Sequence, residues 1–212
     1  GDYLPISRTV VANRSGAGGM TLANELFNRI EPDGLTFAML SGNLITRQMA
    51  EDPAVRYDFQ EFGWLGAVTS RFYTCFVSSR IGINTFEELI NAPEPVFFGT
   101  SPANRYALDL LKAGFGANIE VVAGYGGGSA ETLVALEQGE IDGDCNDWSV
   151  VASRRPAWLT SGEVVPLIQT TPNIHNDLLP GMRNLNDVKD MFVRPELYPV
   201  FEAVSLQDVF QY

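Results

Sequence analysis

Between Val121 and Asp147 the chain reads VVAGYGGGSAETLVALEQGEIDGDCND, and these 27 residues admit few folds. Val121, Val122 and Ala123 end an apolar run that reads as a strand. Gly124 to Gly128 then forms a loop in which four glycines surround Tyr125. Ser129 to Gln138 places Ala130, Leu133 and Val134 at helical spacing, and Gly139 stops that helix. A second strand follows and runs to Asp147. Strand, glycine turn, helix and strand in so short a span make a βαβ-type unit, so the surrounding chain is expected to build a parallel α/β sheet with helices on both faces.

The glycine turn is read in two ways. Without Cβ atoms the backbone can approach a ligand closely, and the loop N–H groups converge at the positive end of the following helix, which makes an anion socket. A tight strand-to-helix connection needs the same residues. No Lys-Ser/Thr pair follows, and the glycine spacing does not match a dinucleotide fingerprint, so nucleotide binding is disfavoured.

The remaining chain repeats the alternation. Thr9 to Ala12 reads as a strand, Asn13 to Gly19 as its turn and Met20 to Ile30 as a helix. Leu35 to Leu40 is a second apolar strand, followed by the polar loop Ser41 to Thr46 and a charged helix- or loop-like stretch over 47–61. Trp64 to Val68 and Phe72 to Ser78 read as strands. Asn84 or Thr85 caps a helix over 85–90. Pro93 and Pro95 force an extended approach to the strand Val96 to Phe98. A helix from Arg105 to Ala113, a strand from Ile119 to Ala123, a helical or looped stretch over 148–158, a strand from Val164 to Gln169 and a proline-punctuated tail complete the chain.

Charge and cysteines narrow the chemistry. A net charge of −12 makes nucleic acid and anionic membrane surfaces poor partners. Cys75 and Cys145 lie in apolar surroundings without a CxxC, beside the single histidine His175, so a zinc site is not expected, nor any cofactor. Two buried thiols are the plain reading of these cysteines; a disulfide is the alternative if the protein is exported. His175 reads as a solvated loop residue, and Trp148 and Trp158 as packing.

In α/β sheets ligands bind beyond the carboxyl ends of the strands, so the loops there supply the candidates. Tyr125 offers a hydroxyl to a bound carboxylate, or packs its loop. Gly126, Gly127 and Gly128 offer backbone N–H groups. Thr100, Ser101 and Asn104 offer donors at a strand end, with helix capping as the other role for Ser101 and Asn104. Gly42, Asn43 and Thr46 could reach a solute from the first domain or form a plain polar loop. Asn146 is a candidate; Asp147 is less so, because its carboxylate repels an anion.

Val11-Ala-Asn-Arg-Ser-Gly-Ala-Gly-Gly19 with Pro32-Asp-Gly34 closely resembles the "ENRPGAGG … PDG" signature of the periplasmic receptors of tripartite tricarboxylate transporters. Thr85-Phe-Glu-Glu-Leu-Ile90 is similar to that family's "TLAELI", Phe98-Gly-Thr-Ser101 to its "YGSSG", Gly124-Tyr-Gly-Gly-Gly128 to its "PYKGG" and Gly139-Glu-Ile-Asp142 to its "GGQVD". The resemblance implies a periplasmic-binding-protein-like (type II) α/β fold, a two-domain Venus flytrap with parallel-rich sheets flanked by helices. It implies a first domain over 1–74 that lacks its opening strand and loop, a second over 75–178, and an incomplete return to the first over 179–212. It further implies a periplasmic monomer without catalytic activity that holds a small carboxylate solute in an interdomain cleft and delivers it to membrane transporter subunits. Gly126 stands where the family has lysine, and Cys145-Asn146-Asp147 where it has "FDN", so the solute is expected to differ. The rivals are an α/β enzyme acting on small carboxylates, disfavoured by the single histidine and the absence of a GxSxG elbow, and a ligand sensor serving a signalling partner.

Overall fold

A computed structural model describes residues 8–14, 16–66, 73–100, 105–125, 128–171, 179 and 181–209. The chain divides into two compact units, Gly1–Trp64 and Leu65–Tyr212.

In the first unit a short 3-10 turn, Ala17–Gly19, leads into α1 (Met20–Arg29), and α2 (Asn43–Met49) follows. Met20, Ala23, Leu40, Leu44, Tyr57 and Phe59 form its small core. The Tyr57 hydroxyl donates to the Leu44 carbonyl at 2.9 Å, and the Asn24 amide ties α1 to the 54–56 segment through the Ala54 carbonyl and the Arg56 N–H. Phe59 stacks on Trp64 with ring centroids 4.8 Å apart. The strands expected over Thr9–Ala12 and Leu35–Leu40 do not pair: no ladder occurs among the described residues of this unit. Leu40 is buried, whereas Leu35, Phe37 and Met39 are 76%, 67% and 75% exposed. The period-two pattern is present, but a strand needs a neighbour to hydrogen-bond, and local sequence cannot supply one.

The second unit runs β1 (Tyr73–Ser78), α3 (Phe86–Ile90), β2 (Val96–Gly99), α4 (Arg105–Asp109), β3 (Ile119–Val122), α5 (Ser129–Gln138), β4 (Gly143–Asp147), α6 (Trp148–Arg154), α7 (Trp158–Ser161), β5 (Val164–Gln169) and α8 (Tyr198–Val209). Thr85 caps α3, its hydroxyl accepting from the Glu88 N–H at 3.1 Å while the Glu88 carboxylate accepts from the Asn84 N–H at 2.6 Å. After α4 the chain continues through a π-helical turn over Leu110–Gly114. Of the strand expected over Trp64–Val68, residues 64–66 form no ladder and 67–68 lie outside the described residues.

The five strands lie in the order β3-β2-β4-β1-β5. β2 is parallel to both β3 and β4, but β1 runs antiparallel to β4 and to β5. The sheet is therefore parallel-rich and mixed, because one reversed strand is inserted between β4 and β5. Side-chain alternation along β1 explains the two cores. Cys75 and Val77 join Phe98, Cys145, Phe86, Leu111 and Phe115 on one face, while Phe76 joins Leu133, Leu136, Trp148, Val151 and Trp158 on the other.

Cys75 and Cys145 face each other across β1 and β4 and form a disulfide. The reading of two buried thiols is thereby corrected: the residues are buried, but as a bridge. Leu185, Val188 and Phe192 lie in the second unit's core. The Phe192 ring lies 4.3 Å from Phe115, and Tyr198 of α8 packs on Phe192. Among the described residues no helix is long and apolar enough to cross a membrane.

Candidate functional site

The carboxyl ends of β2, β3, β4 and β5, with the start of β1, form one edge of the sheet, and buried polar groups concentrate there. The segment Gly143-Asp-Cys-Asn-Asp147 shows why. In a strand its alternate residues face opposite ways, so Cys145 meets the disulfide partner while Asp144 and Asn146 share the face covered by α5. Asp144 is fully buried, and its carboxylate accepts from the Thr132 hydroxyl of α5 at 2.7 Å and from the Asn146 amide at 3.0 Å. The Asn146 carbonyl oxygen accepts from the Ser129 hydroxyl at 2.7 Å and from the Asp147 N–H at 2.9 Å. A buried carboxylate is costly unless it is hydrogen-bonded, and these bonds hold Asn146 in one orientation. Asp147 caps α6, accepting from the Ser149 N–H at 3.0 Å and the Ser149 hydroxyl at 2.8 Å.

Thr74 of β1 lies in register between Asn146 of β4 and Gln169 of β5, so three buried polar side chains cross the sheet at one level. Among the described residues the buried Thr74 hydroxyl and Trp148 indole N–H have no hydrogen-bond partner. Each such group costs on the order of 1–3 kcal/mol. On the same edge the Tyr106 hydroxyl lies 3.2 Å from the Thr170 hydroxyl, and the Thr170 N–H donates to the Tyr73 carbonyl at 2.9 Å.

Tyr125 and Gly128 lie beside this edge, after β3 and before α5. Gly128, with a φ of 69°, ends the turn in a conformation that residues with a Cβ rarely adopt, and as the cap residue of α5 it makes no side-chain cap bond. Its N–H donates to the Tyr125 carbonyl at 3.2 Å, and its carbonyl accepts from Glu131 N at 3.0 Å. The Tyr125 ring packs against Gly99, where an added Cβ would sit 3.4 Å from Cε2. Burial, and then the charges of Glu140 and Asp144, hold the Tyr125 phenol above its usual range. Thr100 is buried at the end of β2, its N–H donating to the Val122 carbonyl at 3.1 Å.

Thr100, Tyr125, Gly128 and Asn146 thus belong to the second unit, at or beside this edge. Ser101, Asn104, Gly126 and Gly127 lie outside the described residues, as does His175. Gly42, Asn43 and Thr46 belong to the first unit and are not a loop: Asn43 and Thr46 are in α2, and Gly42 precedes it with helical backbone angles. Ser129, Thr132, Asp144 and Thr74 went unnoticed in the sequence. The alternation of Asp144 and Asn146 was a usable signal for the first shared face, but Thr74 required knowing which strands are neighbours. Among the described residues no group of three or more His, Cys, Asp or Glu side chains could hold a metal ion.

No protein-family model matches the chain, and no curated protein matches it in sequence. Solved structures do match. A ligand-free TctC solute-binding protein from Polaromonas superposes with a TM-score of 0.67 at 17% identity, over 94% of this chain and 72% of that one. An R. palustris protein solved with adipate gives 0.55 at 24% identity, over 82% and 62%. The periplasmic binding protein BugD gives 0.60 at 18% identity, over 91% and 62%. The chain therefore spans 62% of the length of two of these proteins and 72% of the third. At these identities the likeness is one of fold: the chain has the α/β fold of periplasmic solute-binding proteins.

Proposed function

We propose that this protein is an extracytoplasmic receptor that binds a small carboxylate-bearing solute at the carboxyl edge of its five-stranded sheet and delivers it to a tripartite tricarboxylate transporter. The observation that carries the reading is the meeting, at that edge, of the glycine-capped start of α5 with the buried row of Asn146 and Thr74. Helix N–H groups that no side chain caps favour an anion. Asp144 and Asp147 turn their carboxylate oxygens to internal donors on Thr132, Asn146 and Ser149; their negative charge remains, and the N–H groups at the start of α5 have to outweigh it. Tyr125, Gly126, Gly127, Gly128, Thr100, Ser101 and Asn104 are proposed as neighbouring ligand contacts.

Binding without catalysis fits the same geometry. The Ser129 hydroxyl donates to an amide oxygen, which cannot take its proton as a general base would. An oxidised Cys75–Cys145 pair suits a compartment outside the cytoplasm. The adipate held by the R. palustris protein and the tricarboxylate class implied by the sequence signatures both support a carboxylate solute.

A thermal-shift screen against mono-, di- and tricarboxylates and their neutral amides tests the reading. At about 100 times Kd, ligand adds roughly 2.7 kcal/mol of stability. A rise specific to acids that falls about tenfold in affinity on Asn146→Ala is expected. A folded chain that shifts with none of the acids overturns the carboxylate reading, and turnover of any acid overturns the receptor in favour of an enzyme.

A further inference from the structure

The outer side of α5 carries a second feature, which borders the polar edge at Tyr125. A shallow groove of 380 Å³ opens between the helix, Tyr125 and Glu140. Ala130, Val134 and Ala135 give it apolar lining, and Val134 is 39% exposed. Glu131, Gln138 and Glu140 line it with polar groups. The carboxylates of Glu131 and Glu140 form no ion pair among the described residues. Nearby arginines are engaged elsewhere: Arg155 makes two hydrogen bonds to Glu137, and Arg80 donates to the Leu136 carbonyl.

We propose that this groove docks a segment of a basic protein partner, with the stem of an arginine or lysine over Val134 and its cationic head held by Glu131 and Glu140. Long basic side chains bury an apolar stem while keeping the charge at the surface, and the groove offers both halves of that match. Tyr125 adds an aromatic ring, which attracts a cation on its face. The net charge of −12 draws a basic partner towards the chain at long range. A free small cation would gain little in so open a groove. A segment adds flanking apolar contacts, which is why a protein partner is favoured.

The test uses the whole chain and two peptides, acetyl-Leu-Arg-Leu-amide and its counterpart with citrulline, the uncharged isostere of arginine. Titration followed by NMR should move the Ala130, Val134 and Ala135 resonances with the arginine peptide. The citrulline peptide should bind about fivefold more weakly, the combined scale of one exposed ion pair and one cation–π contact. Glu131→Gln with Glu140→Gln should shrink that difference to the share that Tyr125 supplies, about twofold, and each single change should reduce it less. Both glutamates are exposed, so the variants keep the fold. Equal binding of the two peptides, or shifts mapping away from α5, would overturn the proposal. Free arginine binding as tightly as the peptide would overturn the segment in favour of a small cation.

Discussion

A hydrogen atom is all that position 143 can carry. A Cβ on Gly143 would lie 2.6 Å from the Phe98 ring and 2.9 Å from the Phe76 backbone oxygen. Real side-chain carbons do not come so close, and a neighbouring strand backbone cannot move aside. Gly143→Ala is therefore expected to destabilise the protein by roughly 2–3 kcal/mol through overpacking. Gly162→Ala is the control: its φ of +72° strains any side chain, but none of the described residues lies within 4 Å, so it should cost only about 1 kcal/mol. Chemical denaturation of the two variants checks the ranking, and an equal loss in both would contradict it. The sequence marks Gly143 only as one glycine in a strand. Asp147 caps α6, a role that its place between strand and helix leaves open in the sequence. Nothing local marks Asp144 as buried, because Thr132 reaches it from another element.

Between elements, the disulfide joins strands that are 70 residues apart in the chain. Closing a loop of that size restricts the unfolded ensemble and is worth on the order of 4 kcal/mol in the chain-entropy model. Cys75→Ala with Cys145→Ala is thus expected to lower the melting midpoint by roughly 10 °C. A thiol titration of the unreduced, denatured protein should find no free cysteine; two free thiols would contradict the bridge. The helices and strands of the second unit were legible because each carries its own signal: Thr85 ahead of two glutamates, Gly139 after α5, prolines before β2. The direction of β1 was not. Alternating strand and helix patterns do not encode which strand is reversed, and the pairing of Cys75 with Cys145 follows from that reversal.

Across the whole chain, the ladders among the described residues all belong to the second unit, and the first rests on a core of six buried residues around α1 and α2. Few buried contacts and unpaired backbone make local opening inexpensive. Native-state hydrogen exchange should find the deepest protection in β1 and β4, which are buried throughout, and little at 8–12 and 35–39. Equal protection in the two units would contradict this. The tail illustrates the same limit of local reading. The composition of this proline-punctuated stretch does not say what it packs on, and Phe192 lies against Phe115, with Phe86 on that same ring.

What the amino-acid order determined by itself is local. It set the helix of residues 129–138 between Gly128 and Gly139, the glycine turn before it and the α/β alternation, because caps, turns and periodicity act over a few residues. Tertiary structure decided which strands are neighbours, that β1 is reversed, that the cysteines meet and that Thr74 stands beside Asn146. Those outcomes depend on contacts between residues far apart in the chain, whose energies exist only once the sheet has closed around them.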